Sequence, residues 1–537
     1  MKRYKFLSAA LLGALLTMGT VTSCSDSGYL DINYNPDYPT TATYKQLFPS
    51  AEASTVAVLG LYGQLTGNFW CQYATQGNST NQYNTLANYA VTTSSSYPPV
   101  KALWDNTYAN ALKDLKLSVA SAEGAKVWNY WMVSKILMAY NYLVLTDSYG
   151  DIPFSESLDI DNNPNPIFED SKTVVYPGII NMLDEAIAKY NDALESEKSY
   201  PIGGTLDCFL GGSMAKWVSF AKSLKLKMYL KDFDAHKEDI KNLLAEGDLL
   251  EEDCAWTAWV DATNKSNPLY EFNIRQLNTT ENMRACHTFV EYLLAKKDPR
   301  IVYLYNQTAA SKKAHPDYNT PELLIAHMDE CYEGLPCGTK PSTQSVITIS
   351  QSSRVKQAYD DPVYLMNEAE CELMIAEAYA RLGNTDKAEE YYNKGVLAGF
   401  SRWGLDGSSF VNGVYAFDKT DMLKSIARQY WLTYAGANSY DGWITRNRLG
   451  YPEVQGAVTV RVSNEPMERT LSDGYQLGNL VDPGASNLAT GAYPMRLIYP
   501  TSTSLYNTAA MKYIKENGND ITKKLWWEVN SSFYKID

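Results

Sequence analysis

The stretch LMIAEAYARLGNTDKAEEYYNKGV, from Leu373 to Val396, restricts the fold of this chain more than any other part of it. Small residues at Ala376, Ala388 and Gly395, aromatic residues at Tyr379 and Tyr392, and the glycine Gly383 between them are spaced for two antiparallel helices. Small side chains let the two helices approach, the glycine turns the chain, and the large side chains fill the space between. Such a pair leaves apolar faces open, so neighbouring helices have to cover them.

The spacing is that of a tetratricopeptide repeat, and the chain supplies the neighbours. In VWNYWMVSKILMAYNYLVLTDSYGDIPFSE, residues Trp128, Met132, Ile136, Ala139, Tyr140 and Leu143 recur three or four apart, which predicts one buried stripe of a long helix. Gly150 and Pro153 end it. Further helices are expected from Lys45 to Leu65, over about 175–194, and in SMAKWVSFAKSLKLKMYLKDF, where Trp217, Phe220, Leu224 and Met228 share a face. Strand signals are few and short, at Ser345 to Ile349 and Ala457 to Val462. The 537 residues are 45% hydrophobic and 20% charged, enough to bury a large core. The expected fold is mainly α, a tetratricopeptide-like helix-pair scaffold with loop-rich inserts and a few short strands.

The amino terminus reads as a leader. Lys2, Arg3 and Lys5 precede an apolar run from Phe6 to Met18 that is too short to span a bilayer comfortably. LTMGTVTSC then ends on Cys24, placed as the first residue of a mature lipoprotein and acylated there. The expected organisation is a signal peptide over 1–23, a lipidated tether over 24–44 and a single domain over 45–537. No later apolar stretch reaches about 18 residues, so the chain is expected to be anchored to a membrane, not embedded in it. Its net charge of −14 disfavours nucleic acid as a partner.

Tyr and Trp are abundant, 41 and 12 against 14 Phe, and their flat faces with polar edges suit sugars and peptides. GNFWCQYATQGNSTNQYNTLANYAVTTSSSYPP, beginning at Gly67, mixes amides, hydroxyls and aromatics and reads as surface loops or a broken helix, where binding residues tend to lie. The candidate ligand contacts are therefore Phe69, Trp70, Tyr73, Tyr83, Asn78 and Asn81, with Trp70 as the stacking platform flanked by Gly67, Asn68, Gln72 and Gln76. Trp256 and Trp259 read as core.

No catalytic constellation appears. H-E-x-x-H, the P-loop and G-x-S-x-G are missing, and His236, His287, His315 and His327 lie in unrelated contexts, His287 reading as a satisfied polar residue on a helix. Enzymatic activity is not expected, and no cofactor is required. Asp159, Asp161, Asn163 and Asp170 imitate calcium-loop spacing, but Pro164 stands where that loop needs glycine and Asp170 where it needs a bidentate Glu, so a solvated turn is the better reading. Beyond Cys24 the seven cysteines form no disulfide framework; Cys331 and Cys337 could close a short surface loop or stay free.

A set of landmarks in fixed order resembles the SusD/RagB-type nutrient-binding outer-membrane lipoproteins of the Bacteroidetes, in the SusD-like branch. They are AYNYLVLTDSYGDIPFSESL (139–158), AKWVSFAKSLKLKMYLK (215–231), KKDPRI (296–301), NEAECELMIAEAYARLG (367–383), IARQYWLTYAGANSYDGWITRNRLGYP (426–452), YPMRLIYP (493–500) and KLWWEVN (524–530). Lys222 and Lys225 depart from the residues relatives carry there, and the segment from Thr308 to Gln351 is idiosyncratic. The landmark tryptophans Trp431, Trp443, Trp526 and Trp527 should be structural. The resemblance implies four tetratricopeptide-like helix pairs, within about 104–231 and 362–450, and ligand-binding loops over about 66–100 and 250–350. It further implies an oligosaccharide ligand, a TonB-dependent SusC-like barrel as partner, and a cell-surface location on the outer membrane. Peptide uptake is the alternative cargo, and a glycan-degrading surface enzyme the rival of another class.

Overall fold

The antiparallel pair forms where its spacing places it, as helices Glu368–Arg381 and Thr385–Ser401. Asn367 and Asn384 cap them by accepting the Glu370 and Lys387 N–H groups, and Gly383 turns the chain at φ +77°. A Cβ on Gly395 would stand 2.8 Å from Leu373 Cγ and 3.2 Å from the Ala369 carbonyl, so the small residue sets how closely the helices approach. Ala376, Ala388 and Tyr392 are buried between them, while Tyr379 lies parallel to Tyr391 at 5.6 Å.

The structure is a computed structural model describing residues 42–77, 82–91, 98–159, 162–278, 282–338, 351–456, 461–462, 469–470, 475–483, 486 and 488–528. Cys24, Asn78, Asn81 and Asp161 lie outside the described residues, as does the expected strand Ser345 to Ile349. Thr43 onward forms one compact unit.

Helix Trp128–Tyr149 is the axis of the first half. The sequence pattern predicts one buried stripe, whereas nearly the whole circumference is buried, Asn129, Asn141, Thr146 and Asp147 included. A helix covered on all sides has no solvent face to betray its orientation. Helices Tyr44–Ala57, Lys113–Ala125, Tyr176–Ala188 and Met214–Tyr229 cover it. Gly150 stops it at φ +86°, where a Cβ would press on Leu525 at 2.8 Å. On helix Met214–Tyr229, Trp217, Phe220, Leu224 and Met228 are all buried, as their spacing predicts.

Helices Met422–Tyr434 and Ser439–Leu449 complete the second half. Buried charges bind the halves together. Lys227 Nζ lies 2.8 Å from Glu370 and 2.7 Å from Asp441, which joins three helices. Glu377 pairs with Arg381 and Arg448, and Lys231 with Asp147. In KKDPRI, Asp298 holds Arg300 at 2.6 Å and accepts the Tyr415 hydroxyl at 2.7 Å. Lys222 and Lys225, the departures from the family pattern, make peripheral ion pairs with Glu246 and Asp184.

The strands are short and pair by twos. Ala74–Gln76 runs antiparallel to Met283–Ala285, and Cys254–Trp256 antiparallel to Val363–Met366. Val454–Gln455 is parallel to Leu480–Val481, and Arg461–Val462 antiparallel to Arg469–Thr470, inside the strand expected from Ala457. No helix among the described residues is long and apolar enough to cross a membrane.

Candidate functional site

A strip of extended backbone builds the floor of a surface cleft. Val355 pairs with Tyr305 in an antiparallel bridge, its N–H donates to Met283 O at 3.1 Å, and Asn306 N–H donates to Arg354 O at 2.9 Å. Strand alternation then sends Lys356 and Gln357 in different directions and leaves Tyr303 at the rim. Trp403, just past the end of helix Thr385–Ser401, lies nearly parallel to Tyr303, with ring centroids 5.7 Å apart and an interplanar angle of 27°. Both rings are half-buried. Gly436, at φ +68°, lies beneath the indole; a Cβ there would meet Leu304 at 2.5 Å and the Trp403 ring at 3.2 Å.

The cleft is open to solvent and is also lined by Gln64, Asn68, Tyr73, Asn267 and Asp361. Several of these polar groups hold its walls. Gln64 donates to Ala437 O and accepts the Ser439 hydroxyl, and Asn267 Nδ2 donates to Asp361 O at 2.8 Å. Lys356 Nζ donates to Val302 O at 2.7 Å, and burial holds its ammonium below the usual lysine range. Asp361 accepts the Ala358 N–H at 2.7 Å; burial, with the Asp360 charge adding to it, pushes its carboxyl up to about 6.

The arrangement combines a flat aromatic surface with a border of amides and two opposite charges. That suits a polyhydroxylated ring, whose C–H face stacks while its hydroxyls bond. Glycoside hydrolysis requires two carboxyl groups flanking the scissile bond, and Asp361 is the only carboxylate among the described lining residues.

The raised carboxyl gives a pH prediction. Its folded value, about 6, lies above the ordinary 3.8, so its stabilising contribution is present below pH 3.8 and is lost as pH rises through about 6. Asp361→Asn should therefore raise the melting temperature at pH 8 and have less effect at pH 5. Thermal melts at both values check this; an equal shift at both would sink it.

The sequence candidates fall elsewhere. Residues Gln64–Trp70 form a short helix, the broken-helix alternative of the sequence reading, but a buried one and not a surface element. A Cβ on Gly67 would lie 2.0 Å from the Ser439 carbonyl, so this glycine lets the helix press on the start of helix Ser439–Leu449 and drives Phe69 and Trp70 into the core. Trp70 is 0% exposed, edge-on to Trp443 at 4.8 Å, with no face open for stacking a ligand. Phe69 and Tyr83 are buried against each other at 5.4 Å. Tyr73, 3% exposed, reaches the cleft wall, but its hydroxyl donates to Trp431 O at 2.6 Å. Gln72 is also internal, bonded to Tyr89 and to both backbone groups of Val481. Of this segment's polar residues Asn68 lines the cleft.

Trp256 and Trp259 are half-buried neighbours at 5.8 Å. Trp431, Trp443 and Trp527 are buried, as landmark residues should be. His287 begins helix His287–Ala295, buried beside Cys286 and Tyr475. Cys331 and Cys337 are buried free thiols in separate clusters, so neither closes a surface loop. Asp170 caps the turn at Ser171, accepting Thr173 N–H at 2.7 Å; Asp159 accepts Asn162 Nδ2, and Asn163 donates to Glu156. Among the described residues no group of three or more His, Cys, Asp or Glu is placed to hold a metal. Tyr303 and Trp403 escape sequence reading because no local pattern links them.

The family model that matches residues 37–471 is SusD-like and described as starch-binding, associating with outer membrane. Solved structures match over nearly the full chain. A chitin-binding protein is 21% identical with a TM-score of 0.67, and a SusD homolog from Bacteroides uniformis is 20% identical with a TM-score of 0.70. A SusD/RagB family protein from Bacteroides thetaiotaomicron is 19% identical with a TM-score of 0.67. Each match covers 91% of this chain and 100% of the other. No curated protein matches. A mainly helical scaffold built on tetratricopeptide-like pairs, an aromatic cleft and a family match over most of the sequence lead to one assignment: the chain belongs to the SusD-like family.

Proposed function

We propose that this chain is a surface lipoprotein, anchored through Cys24, that captures oligosaccharide in the cleft beside Tyr303 and Trp403 and delivers it to a SusC-like transporter in the outer membrane. The observation that carries the binding step is the half-buried parallel pair Tyr303 and Trp403, set at the border of a cleft with amide and charged lining. The starch-binding description of the family supports a glycan over a peptide, and the leader sequence supports the anchor. That Asp361 is the one carboxylate among the described lining residues favours binding without turnover.

Trp403→Ala should weaken binding about tenfold, the effect of removing one stacked aromatic together with its buried area, and leave the melting temperature within a few degrees. Calorimetric titration of the lipid-free mature chain against oligosaccharides and peptides tests the reading. Saturable glycan heat reduced in the variant supports it. Peptide heat with no glycan heat would make the cargo peptide, and turnover of any glycan would make this an enzyme.

A further inference from the structure

A second hollow opens beside the aromatic cleft, and Val355 and Gln357 line both. The continuity comes from the strip that floors the cleft. On the cleft side Tyr303, Leu304 and Tyr305 stand against residues 355–357, with Lys356 N–H donating to Leu304 O at 2.9 Å. Past the bridge between Tyr305 and Val355 the same two segments run on, and there Asn306, Gln307, Ser352 and Arg354 line the second hollow. Extended chain advances about 3.3 Å per residue, so the step from Gln357 to Arg354 covers about 10 Å. The ridge between the hollows is held in place. Gln357 Oε1 accepts Asn273 Nδ2 at 3.0 Å, and its Nε2 donates to Met283 Sδ at 3.0 Å. Asn273 Oδ1 in turn accepts the Tyr83 hydroxyl at 3.2 Å and Asn282 Nδ2 at 3.3 Å, so Tyr83 supports this ridge from behind.

The two hollows differ in kind. The cleft presents the Tyr303 and Trp403 rings, whereas the second hollow has no aromatic side chain among its described lining residues. Asn306 and Lys312 are exposed at its edge and Gln307 is half-buried. We propose, resting on the glycan reading above, that the ligand is a linear oligosaccharide long enough to pass from Tyr303 and Trp403 over the Gln357 ridge into the second hollow, where Asn306, Gln307 and Lys312 bond the hydroxyls of a distal sugar. The cleft then holds the chain by stacking, and the second hollow reads its length by hydrogen bonds alone. A short sugar stacked in the cleft cannot also reach across the ridge, so it forgoes those bonds.

The test is calorimetry of the lipid-free mature chain with the triose and hexaose of three linkages: maltotriose and maltohexaose, cellotriose and cellohexaose, xylotriose and xylohexaose. In a series that binds, the hexaose should be about tenfold or more tighter than the triose, the effect of two further hydrogen bonds. Asn306→Ala should remove about threefold or more of the hexaose affinity, leave the triose within about twofold, and keep the melting temperature of the parent, because the side chain is exposed. Trp403→Ala should weaken both lengths. A triose binding as tightly as its hexaose, or an Asn306→Ala effect that is absent or equal for the two lengths, would overturn the second subsite and leave the glycan reading standing. Saturable heat from none of the six would overturn both.

Discussion

Lys227→Met should lower the unfolding free energy by about 3–5 kcal/mol, the cost of removing one partner from a buried ion pair. The ammonium is the shared counter-ion of Glu370 and Asp441, at 2.8 and 2.7 Å, and all three side chains are at most 8% exposed. Burial already raises the Glu370 carboxyl, with Lys227 opposing that effect, so taking the cation away leaves two carboxylates facing each other in a dry core. Methionine fills the volume but supplies neither charge nor donor. Because the triad joins helices Met214–Tyr229, Glu368–Arg381 and Ser439–Leu449, its loss should separate the halves of the scaffold. The triple variant Lys227→Met, Glu370→Gln, Asp441→Asn should recover much of the loss, since no unpaired charge remains. Urea midpoints of the three proteins measure this, and a single variant within about 1 kcal/mol of the parent would show that the carboxylates find other partners.

The sequence is most legible where local geometry alone decides. Ala376, Gly383, Ala388 and Gly395 specify the helix pair because only small residues permit that approach and only a turn at Gly383 reverses the chain. Gly150 likewise ends the axial helix as expected. The segment after Gly67 is misleading for a physical reason. Its amides look solvent-facing, but Gln72 spends its bonds on Tyr89 and Val481, so polar composition there reports internal hydrogen bonding. The cleft itself is a tertiary product. Trp403 ends one helix and Tyr303 precedes an extended strip, and nothing near either in the chain announces that their rings will lie parallel.

Trp70→Ala separates a structural tryptophan from a binding one. Trp70 is fully buried, its ring meets Trp443 at 4.8 Å and 73°, and its carbonyl accepts the Tyr493 hydroxyl. Trp443 is in turn tied to Pro494 O at 2.8 Å, so the cavity left by alanine would open beneath helix Ser439–Leu449 and beside the 493–500 landmark. Large-to-small changes of this kind cost about 3–5 kcal/mol, and neighbours held by hydrogen bonds have little freedom to collapse into the gap. Trp70→Phe should cost less, because Trp70 Nε1 has no hydrogen-bond partner to lose and phenylalanine retains most of the volume. Below the variant's own melting transition, glycan affinity should stay within about twofold of the parent, the reverse of Trp403→Ala, which should weaken binding and spare stability. Paired calorimetry and denaturation of the two alanine variants give the two effects on separate axes. Loss of affinity in a fully folded Trp70→Ala protein would put that residue in the ligand site and displace the cleft beside Tyr303 from that role.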